Sequence, residues 1–208
     1  MKKITIVPAI ISDNQEGMDF AISKVNNAKR IQLDVMDGKF VNNTSLNFNI
    51  NPPKIKGLYE AHLMVADPKA WIEENHDKVD IIIPHYSAMK DNIVEIIDLI
   101  KSKGKIAAIS INPEISISDI EQYLPTINQL LVMTVHPGFY GSKFVPEALE
   151  KVKQARELFP DIDIEVDGGM NLENTKLAKQ AGANVIVSGS FIMKSEDPEK
   201  QIEVLENV

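Results

Sequence analysis

Residues 80–111 read DIIIPHYSAMKDNIVEIIDLIKSKGKIAAISI, and this stretch indicates the fold class. Its two ends, residues 80–84 and Ile106–Ile111, are short apolar runs rich in isoleucine, as in strands buried on both faces. Between them, residues 91–102 carry apolar side chains three and four positions apart, the spacing of an amphipathic helix. The pattern predicts a β-α-β unit, in which the helical crossover makes the two strands parallel.

The same alternation extends along the chain on both sides of this unit. The segments with the composition of buried strands are 4–10, 30–35, 59–64, 80–84, 106–111, 129–135, 162–166 and 184–188. Besides 91–102, the clearest amphipathic helices are 145–158, 172–180 and 197–206. Residues 40–57 are rich in asparagine and predict a long loop with at most a short helix. Such an alternation forms either a closed barrel or an open doubly wound sheet. Eight strand-helix units in about 200 residues favour the barrel, so we expect residues 1–208 to form a single (β/α)8 TIM barrel.

The composition narrows the class of function. A formal net charge of -8 provides no general attraction for nucleic acid or for an anionic membrane. The absence of cysteine excludes disulfides, thiolate metal sites and cysteine nucleophiles. No apolar run approaches the roughly 18 residues of a membrane span, and we expect a cytoplasmic protein.

Polar residues at the carboxyl ends of the predicted strands are the first candidates for function, because a barrel of this kind builds its active site there. The candidates are Asp34, Asp37, His62, His85, His136 and Asp167. Taken singly, each has an ordinary structural explanation, since aspartate often caps helices and histidine often packs in a core. Taken together, carboxylates and a histidine in one funnel predict a catalytic site, because burying like charges costs stability unless a cation or a shared proton offsets it.

Glycine-containing turns follow the last three predicted strands. Their residues are Gly138, Phe139, Tyr140 and Gly141, then Gly168 and Gly169, then Gly189 and Ser190. These glycines could serve only to make tight turns. Three such turns on adjoining strands favour a phosphate site instead, because glycine lets several backbone amides approach one anion.

Four motifs carry a family resemblance: LDVMDGKFV at 33–41, HLM at 62–64, MTVHPGF at 133–139 and EVDGG at 165–169. In this order, over essentially the whole chain, the sequence resembles the ribulose-phosphate 3-epimerase family. The resemblance implies a (β/α)8 barrel that inverts C3 of D-ribulose 5-phosphate to form D-xylulose 5-phosphate. It also implies a homo-oligomer and a divalent metal, often zinc.

The resemblance also implies roles for individual residues. Asp34 and Asp167 correspond to the two acid/base groups, and both of them, with His62, correspond to metal ligands. Methionines that line the family's site correspond to Met36, Met64 and Met133, for which simple core packing is an equal alternative. Substrate and phosphate contacts correspond to His62, Gly138, Phe139, Tyr140, Gly141, Gly168, Gly169, Gly189 and Ser190.

The sequence departs from the family pattern at three positions. Gln32 stands where the family has a metal-binding histidine, and its neutral amide oxygen suits magnesium or manganese better than zinc. This leaves open whether a metal binds and which one. Ala9 replaces a serine that contacts substrate, and His136 replaces an asparagine. We hypothesise that His136 lines the site and compensates for Gln32 in polarising the substrate.

Two other functions stay open. A hexulose-phosphate 3-epimerase acting on allulose 6-phosphate shares nearly all of these motifs. A phosphosugar-binding barrel without catalysis would also explain Gln32 and Ala9, although such a binder has no need of Asp34 and Asp167. Related decarboxylases and hexulose-phosphate synthases carry an Asp-x-Lys-x-x-Asp array. The residues between Asp34 and Asp37 include no lysine, which argues against those two activities.

Overall fold

The computed structural model describes residues 3–138 and 143–208 and consists of a ring of parallel strands surrounded by helices. The strands are β1 Thr5–Ile10, β2 Arg30–Asp37, β3 Thr44–Ser45, β4 Leu58–Met64, β5 Ile81–Pro84, β6 Ile106–Ile111, β7 Gln129–Met133, β8 Asp163–Asp167 and β9 Val185–Ser188. The α-helices are α1 Gln15–Ser23, α2 Pro68–Asn75, α3 Tyr86–Met89, α4 Ile93–Ser102, α5 Ile117–Ile120, α6 Leu149–Leu158, α7 Leu172–Ala181, α8 Ser190–Met193 and α9 Pro198–Glu206.

The parallel strands close into a ring. Their order is β1-β9-β8-β7-β6-β5-β4-β2, and a parallel pairing of β1 with β2 completes the circle. The short strand β3 lies outside the ring, antiparallel to the end of β2. The predicted (β/α)8 TIM barrel is therefore confirmed.

Successive side chains of a strand point to opposite faces, so the barrel has two separate buried regions, one between the strands and the helices and one inside the ring. The large core between strands and helices contains residues such as Leu33, Leu63 and Ile164, all fully buried. Within the ring the apolar clusters are small, as in the group Val7, Ala9, Val185 and Val187. Because side chains two apart on a strand share a face, Gln32, Asp34 and Met36 of β2 lie on the same side of the sheet. Polar side chains therefore share the inside of the ring with those small apolar clusters.

The segment 40–57 differs from its prediction. Instead of a loop with at most a short helix, it contains β3, in which Thr44 pairs with Asp37 and Ser45 with Met36. The Leu46 amide also donates to the Ser12 carbonyl at 2.8 Å. A two-residue strand has no periodicity to detect, so only the tertiary pairing reveals it.

Several short helices were also missing from the sequence prediction. α2 is an example: it begins at Pro68, and the Asp67 side chain caps it by accepting from the Ala70 amide at 3.0 Å. Its mean hydropathy is low, so its apolar face gives little signal. Within residues 3–138 and 143–208, no helix combines the length and apolar character that crossing a bilayer requires.

Candidate active site

A cavity of about 340 Å³ opens at the carboxyl ends of the barrel strands. It brings together most of the residues predicted from the sequence. The predicted residues in its wall are Asp34, Met36, His62, Met64, Met133, Gly138, Asp167, Gly168, Gly169, Gly189 and Ser190. Ala9 lies in the same wall, so the position of the missing serine hydroxyl faces the cavity.

Two carboxylates and one amide form the centre of the site. The Gln32 Nε2 donates to Asp34 Oδ1 and to Asp167 Oδ2, each at 2.8 Å. Gln32 is fully buried, and its Oε1 has no hydrogen-bond partner among the described residues. The amide therefore bridges the two aspartates, although these come from strands that are separated in the ring by β9 and β1.

His62 lies between the same two carboxylates. Its Nδ1 is 3.3 Å from Asp34 Oδ1 and 3.5 Å from Asp167 Oδ2. Burial opposes a charge on this imidazole, but the nearby carboxylates of Asp167 and Asp34 outweigh burial and raise the pKa of His62 to about 9. Burial, together with the charge of Asp167, raises the pKa of Asp34. Without a cation, the site therefore retains protons that offset the charge of its two carboxylates.

The three side chains also fit a divalent cation. Asp34, His62 and Asp167 each offer one ligand atom, and these atoms lie within 4.8 Å of one another. Ligands about 2.1 Å from a common ion have mutual distances near those observed here. His62 Nδ1 is buried without a hydrogen bond of good geometry, so the neutral ring can offer a lone pair there. Gln32 Oε1 could add to this set only if the amide turned over, because its Nε2 faces both aspartates here.

The glycine-containing part of the cavity wall suits an anion. Gly168 has φ +123, and a Cβ there would lie 2.5 Å from Val135 Cγ2, so only glycine brings the backbone this close. Lys194, which the sequence analysis missed, also lies in this wall with its side chain exposed. Among the described residues around the cavity, it is the one lysine or arginine. Lys194 follows the end of α8 and not the end of a strand, so the search of strand ends did not include it.

Some candidates lie elsewhere. The side chain of His136 is 75% exposed and 3.8 Å from Glu114, outside the cavity wall, so the structure does not bring it to Gln32. Asp37 accepts hydrogen bonds from the backbone amides of Lys39, Phe40 and Ala66, which makes it part of a loop. The predicted contacts Phe139, Tyr140 and Gly141 lie outside the described residues.

His85 lies immediately behind His62. It is fully buried, and its Nε2 is 2.8 Å from the Nε2 of His62. Burial, with the charge of His62 added, holds the pKa of His85 well below the ordinary value for histidine. The sequence placed His85 at a strand end, but only the structure shows which residue it touches.

A second polar group lies deeper in the barrel. Arg30 Nη1 donates to Gln129 Oε1 at 2.6 Å and to Glu60 Oε2 at 3.2 Å, and Gln129 Nε2 donates to Glu165 Oε2. Burial and the charge of Glu60 raise the pKa of Glu165 well above its ordinary value. Nothing in the sequence analysis identified these residues, since charged positions within a strand normally indicate an exposed face.

Comparison with known proteins gives one consistent result. The profile of the ribulose-phosphate 3 epimerase family matches residues 5–193. The chain is 36% identical to the ribulose-phosphate 3-epimerase of Eremothecium gossypii, covering 100% of this chain and 93% of that protein. It is 33% identical to the ribulose-phosphate 3-epimerase of Helicobacter pylori, covering 98% of this chain and 97% of that protein. The cytoplasmic isoform from Oryza sativa is 36% identical over 84% of this chain and 80% of that protein.

Solved structures share the fold at low sequence identity. The structure of KGPDC from Streptococcus mutans superimposes with a TM-score of 0.70 at 15% identity, covering 99% of this chain and 97% of that one. A 3-hexulose-6-phosphate synthase superimposes with a TM-score of 0.68 at 14% identity, covering 98% of this chain and 99% of that one. At such identities the likeness concerns the barrel alone, whereas the profile and the curated relatives cover the motifs as well. The chain therefore belongs to the ribulose-phosphate 3-epimerase family.

Proposed function

We propose that this protein is an isomerase that inverts C3 of a ketose phosphate, converting D-ribulose 5-phosphate to D-xylulose 5-phosphate. The observation that carries the proposal is the aspartate pair in one cavity. Asp34 and Asp167 come from non-neighbouring strands and each lies 2.8 Å from the Gln32 amide nitrogen. Family membership and the ribulose-phosphate 3-epimerases among its relatives support the same reaction.

The chemistry requires two groups that exchange protons. The C3 proton is acidic because C2 is a carbonyl, and its removal leaves an enediolate. One aspartate takes this proton, and the other delivers a proton to the opposite face of C3, so the configuration inverts. In the reverse direction the two carboxyl groups exchange roles. Each turnover moves one proton onto the pair and one off it.

Other side chains support this transfer. Met36, Met64 and Met133 line the cavity beside the aspartates, where their flexible apolar side chains exclude water and adapt to the sugar. The backbone at Gly168, with Lys194, forms the wall that would hold the phosphate.

The residues that would hold a divalent cation are Asp34, His62 and Asp167, with the amide of Gln32 as a weak addition. When bound, such a cation supplies positive charge against the negative charge that develops on the carbonyl oxygen. Three strong ligands still suit zinc, and the oxygen-rich set also suits manganese or magnesium.

An epimerase of a longer ketose phosphate, such as allulose 6-phosphate, is the second candidate. Ala9 supports it, because this small side chain in the cavity wall leaves room where the family has a serine. The two candidates differ in kcat/KM for the pentulose and hexulose phosphates. A phosphosugar-binding barrel would give turnover with neither.

The decisive experiment follows hydrogen exchange at C3 by NMR in deuterated water. The wild type should exchange the C3 hydrogen of both epimers and interconvert them. Asp34→Asn and Asp167→Asn should each stop interconversion, while each retains exchange with a different epimer, because each keeps one of the two proton-transfer groups. Metal content is measured in the same samples, because each substitution could stop the reaction either by removing a proton-transfer group or by releasing the cation. Interconversion at the wild-type rate in either variant would overturn the two-aspartate mechanism.

A further inference from the structure

The hydrogen bond between the two buried histidines has only two possible directions. The Nε2 atoms of His62 and His85 are 2.8 Å apart, so one proton must lie between them. If His62 donates, its own Nδ1 in the neutral ring carries a lone pair. If His85 donates, the Nδ1 of neutral His62 carries a proton and cannot bind a cation. The direction of this bond therefore decides what His62 presents to Asp34 and Asp167.

The surroundings of His85 select the first direction. Asn112 Nδ2 donates to Glu114 Oε1 at 3.1 Å, and the buried Asn112 Oδ1 has no hydrogen-bond partner among residues 3–138 and 143–208. The Nδ1 of His85 is also buried, and it has no hydrogen-bond partner within the part of the chain that the structure describes. Burial lowers the pKa of His85, and the interaction with Asn112 opposes this effect. A proton on His85 Nδ1 would have the unpaired Asn112 Oδ1 as its acceptor, and in the neutral ring Nε2 would then accept from His62.

Packing holds the two rings in this relation. The imidazoles of His62 and His85 are stacked with centroids 4.9 Å apart, at an interplanar angle of 24°. Phe40 contacts the His85 ring, with a centroid distance of 4.9 Å. Ser110 Oγ lies 3.5 Å from His85 Nε2, a weaker contact than the one to His62.

We propose that His85 is a positioning residue that accepts the Nε2 proton of His62 and so keeps the Nδ1 lone pair of His62 between Asp34 and Asp167. This assignment rests on the proposed function, in which those three residues hold a divalent cation. His85 touches neither the cavity nor the carboxylates among the described contacts, so it acts only through His62. Partners of this kind orient metal-binding histidines and raise their basicity.

The direct test is NMR of the full-length, zinc-loaded protein with 15N-labelled histidine. Scalar coupling across the N–H···N bond identifies both nitrogens and shows which one carries the proton. We expect the proton on His62 Nε2, and His85 protonated only at Nδ1. A proton on His85 Nε2 overturns the proposal. The same measurement on cation-free protein is made above the His62 pKa of about 9, where the ring is neutral, and tests the direction of the bond without any metal.

Two variants then separate hydrogen bonding from packing. In His85→Gln the amide oxygen reaches about as far as the lost Nε2, whereas in His85→Asn it is one methylene short. We expect His85→Asn to weaken zinc binding about ten- to hundredfold, and His85→Gln to remain within about threefold of the wild type. Ser110→Ala is the matched control and should leave zinc affinity unchanged. Affinity is measured by competition with a chromophoric chelator, which needs no turnover.

The remaining outcomes are decisive as well. Equal weakening in the Gln and Asn variants, or no weakening in either, overturns the proposal. If His85→Asn does not fold, the proton position in the wild type decides the question alone. If the wild type turns over no ketose phosphate, the proposed function fails, while the tautomer and zinc measurements still judge the role of His85.

Discussion

Gln32 is the residue at which this site departs furthest from its family. As a donor it holds Asp34 and Asp167 together, and as a ligand it offers only its unpaired Oε1. A histidine at the same position would supply a nitrogen that binds zinc more strongly than an amide oxygen does. The substitution therefore exchanges cation affinity for a fixed hydrogen bond within the protein.

Placing a histidine at position 32 should restore cation affinity at the expense of the hydrogen bonds that Gln32 donates to the two aspartates. We expect Gln32→His to tighten zinc binding by about tenfold or more, because a fourth strong ligand replaces a weak one. Isothermal titration of the metal-stripped protein measures the change. Gln32→Asn is the control, since it keeps an amide and adds no imidazole. Unchanged zinc affinity in Gln32→His would mean that residue 32 is not a ligand position in this protein.

Lys194 is the second residue whose effect can be isolated. It lies in the cavity wall, and its positive charge faces a substrate with a negative phosphate. We expect Lys194→Met to raise KM for the ketose phosphate about fivefold, or about 1 kcal/mol, with little change in kcat. Steady-state kinetics at low and high salt measure the effect, which should shrink at high salt. Lys176→Met, on the exposed face of α7, should leave KM unchanged.

At the scale of elements, the β2–β3 turn supports the site. The Asp37 carboxylate accepts from the amides of Lys39 and Phe40 at 2.9 Å and from Ala66 at 2.8 Å. Burial alone would raise the pKa of Asp37, but these amides lower it below its ordinary value. Through Phe40, the same turn reaches the ring of His85.

Removing the Asp37 carboxylate should loosen this turn. We expect Asp37→Ala to lower the free energy of unfolding by about 1 kcal/mol at neutral pH, because it removes the shared acceptor of three amides that are partly open to water. A lowered carboxyl pKa stabilises the fold above the unfolded value and loses that effect as the pH falls through the folded value. The difference from wild type in urea denaturation should therefore narrow in acid. If the difference in unfolding free energy between wild type and Asp37→Ala stayed constant down to the pH of acid unfolding, the loss of stability would come from packing and not from the ionised carboxylate.

Element boundaries show what sequence periodicity can and cannot reveal. Isoleucine-rich runs such as Ile106–Ile111 were recognisable because both faces of a barrel strand are buried. The predicted strand 129–135 ends at Met133, the last residue paired with β8. The prediction extended two residues too far because Thr134 and Val135 are still buried. Apolar character records burial, and element ends differ from it by a residue or two.

At the scale of the whole molecule, the barrel interior contains a buried charge group below the active site. Glu60 and Glu165 are both fully buried, and the Oε1 of each has no hydrogen-bond partner in the described ranges 3–138 and 143–208. Arg30 is the cation beside them, with its side chain 14% exposed. One positive charge cannot compensate two buried carboxylates, so Glu165 remains protonated well above its ordinary pKa.

The raised pKa of Glu165 predicts that the wild type loses stability as the pH rises, and that Glu165→Gln abolishes this loss. A raised carboxyl pKa means that wild-type stability is greatest below the unfolded value of 4.5 and falls as the pH rises toward the folded value. Glu165→Gln keeps the acceptor for Gln129 and takes up no proton. We expect it to raise the free energy of unfolding by about 1–3 kcal/mol at pH 8, with the gain vanishing near pH 4. Denaturant unfolding in excess chelator measures this, and Glu173→Gln on the surface is the control.

Assembly remains a prediction at this scale. Several large apolar side chains are exposed, among them Phe20 at 63%, Val94 at 59% and Leu158 at 51%. We expect a homo-oligomer of single-domain subunits, since exposed apolar surface favours association. Sedimentation equilibrium measures the mass, and a concentration-independent monomer would contradict the expectation. A single cooperative unfolding transition at fixed concentration would support one domain over residues 1–208.

Sequence alone was enough to predict the barrel, the strand ends that carry Asp34, His62 and Asp167, and the family. These features are local in the chain: periodicity records burial, and each motif is contiguous. The three-dimensional structure was needed to show that Gln32 bridges two aspartates, that His85 lies behind His62, and that His136 faces solvent. Those relations join residues on different strands or depend on where a side chain points, and both are set by how the ring closes.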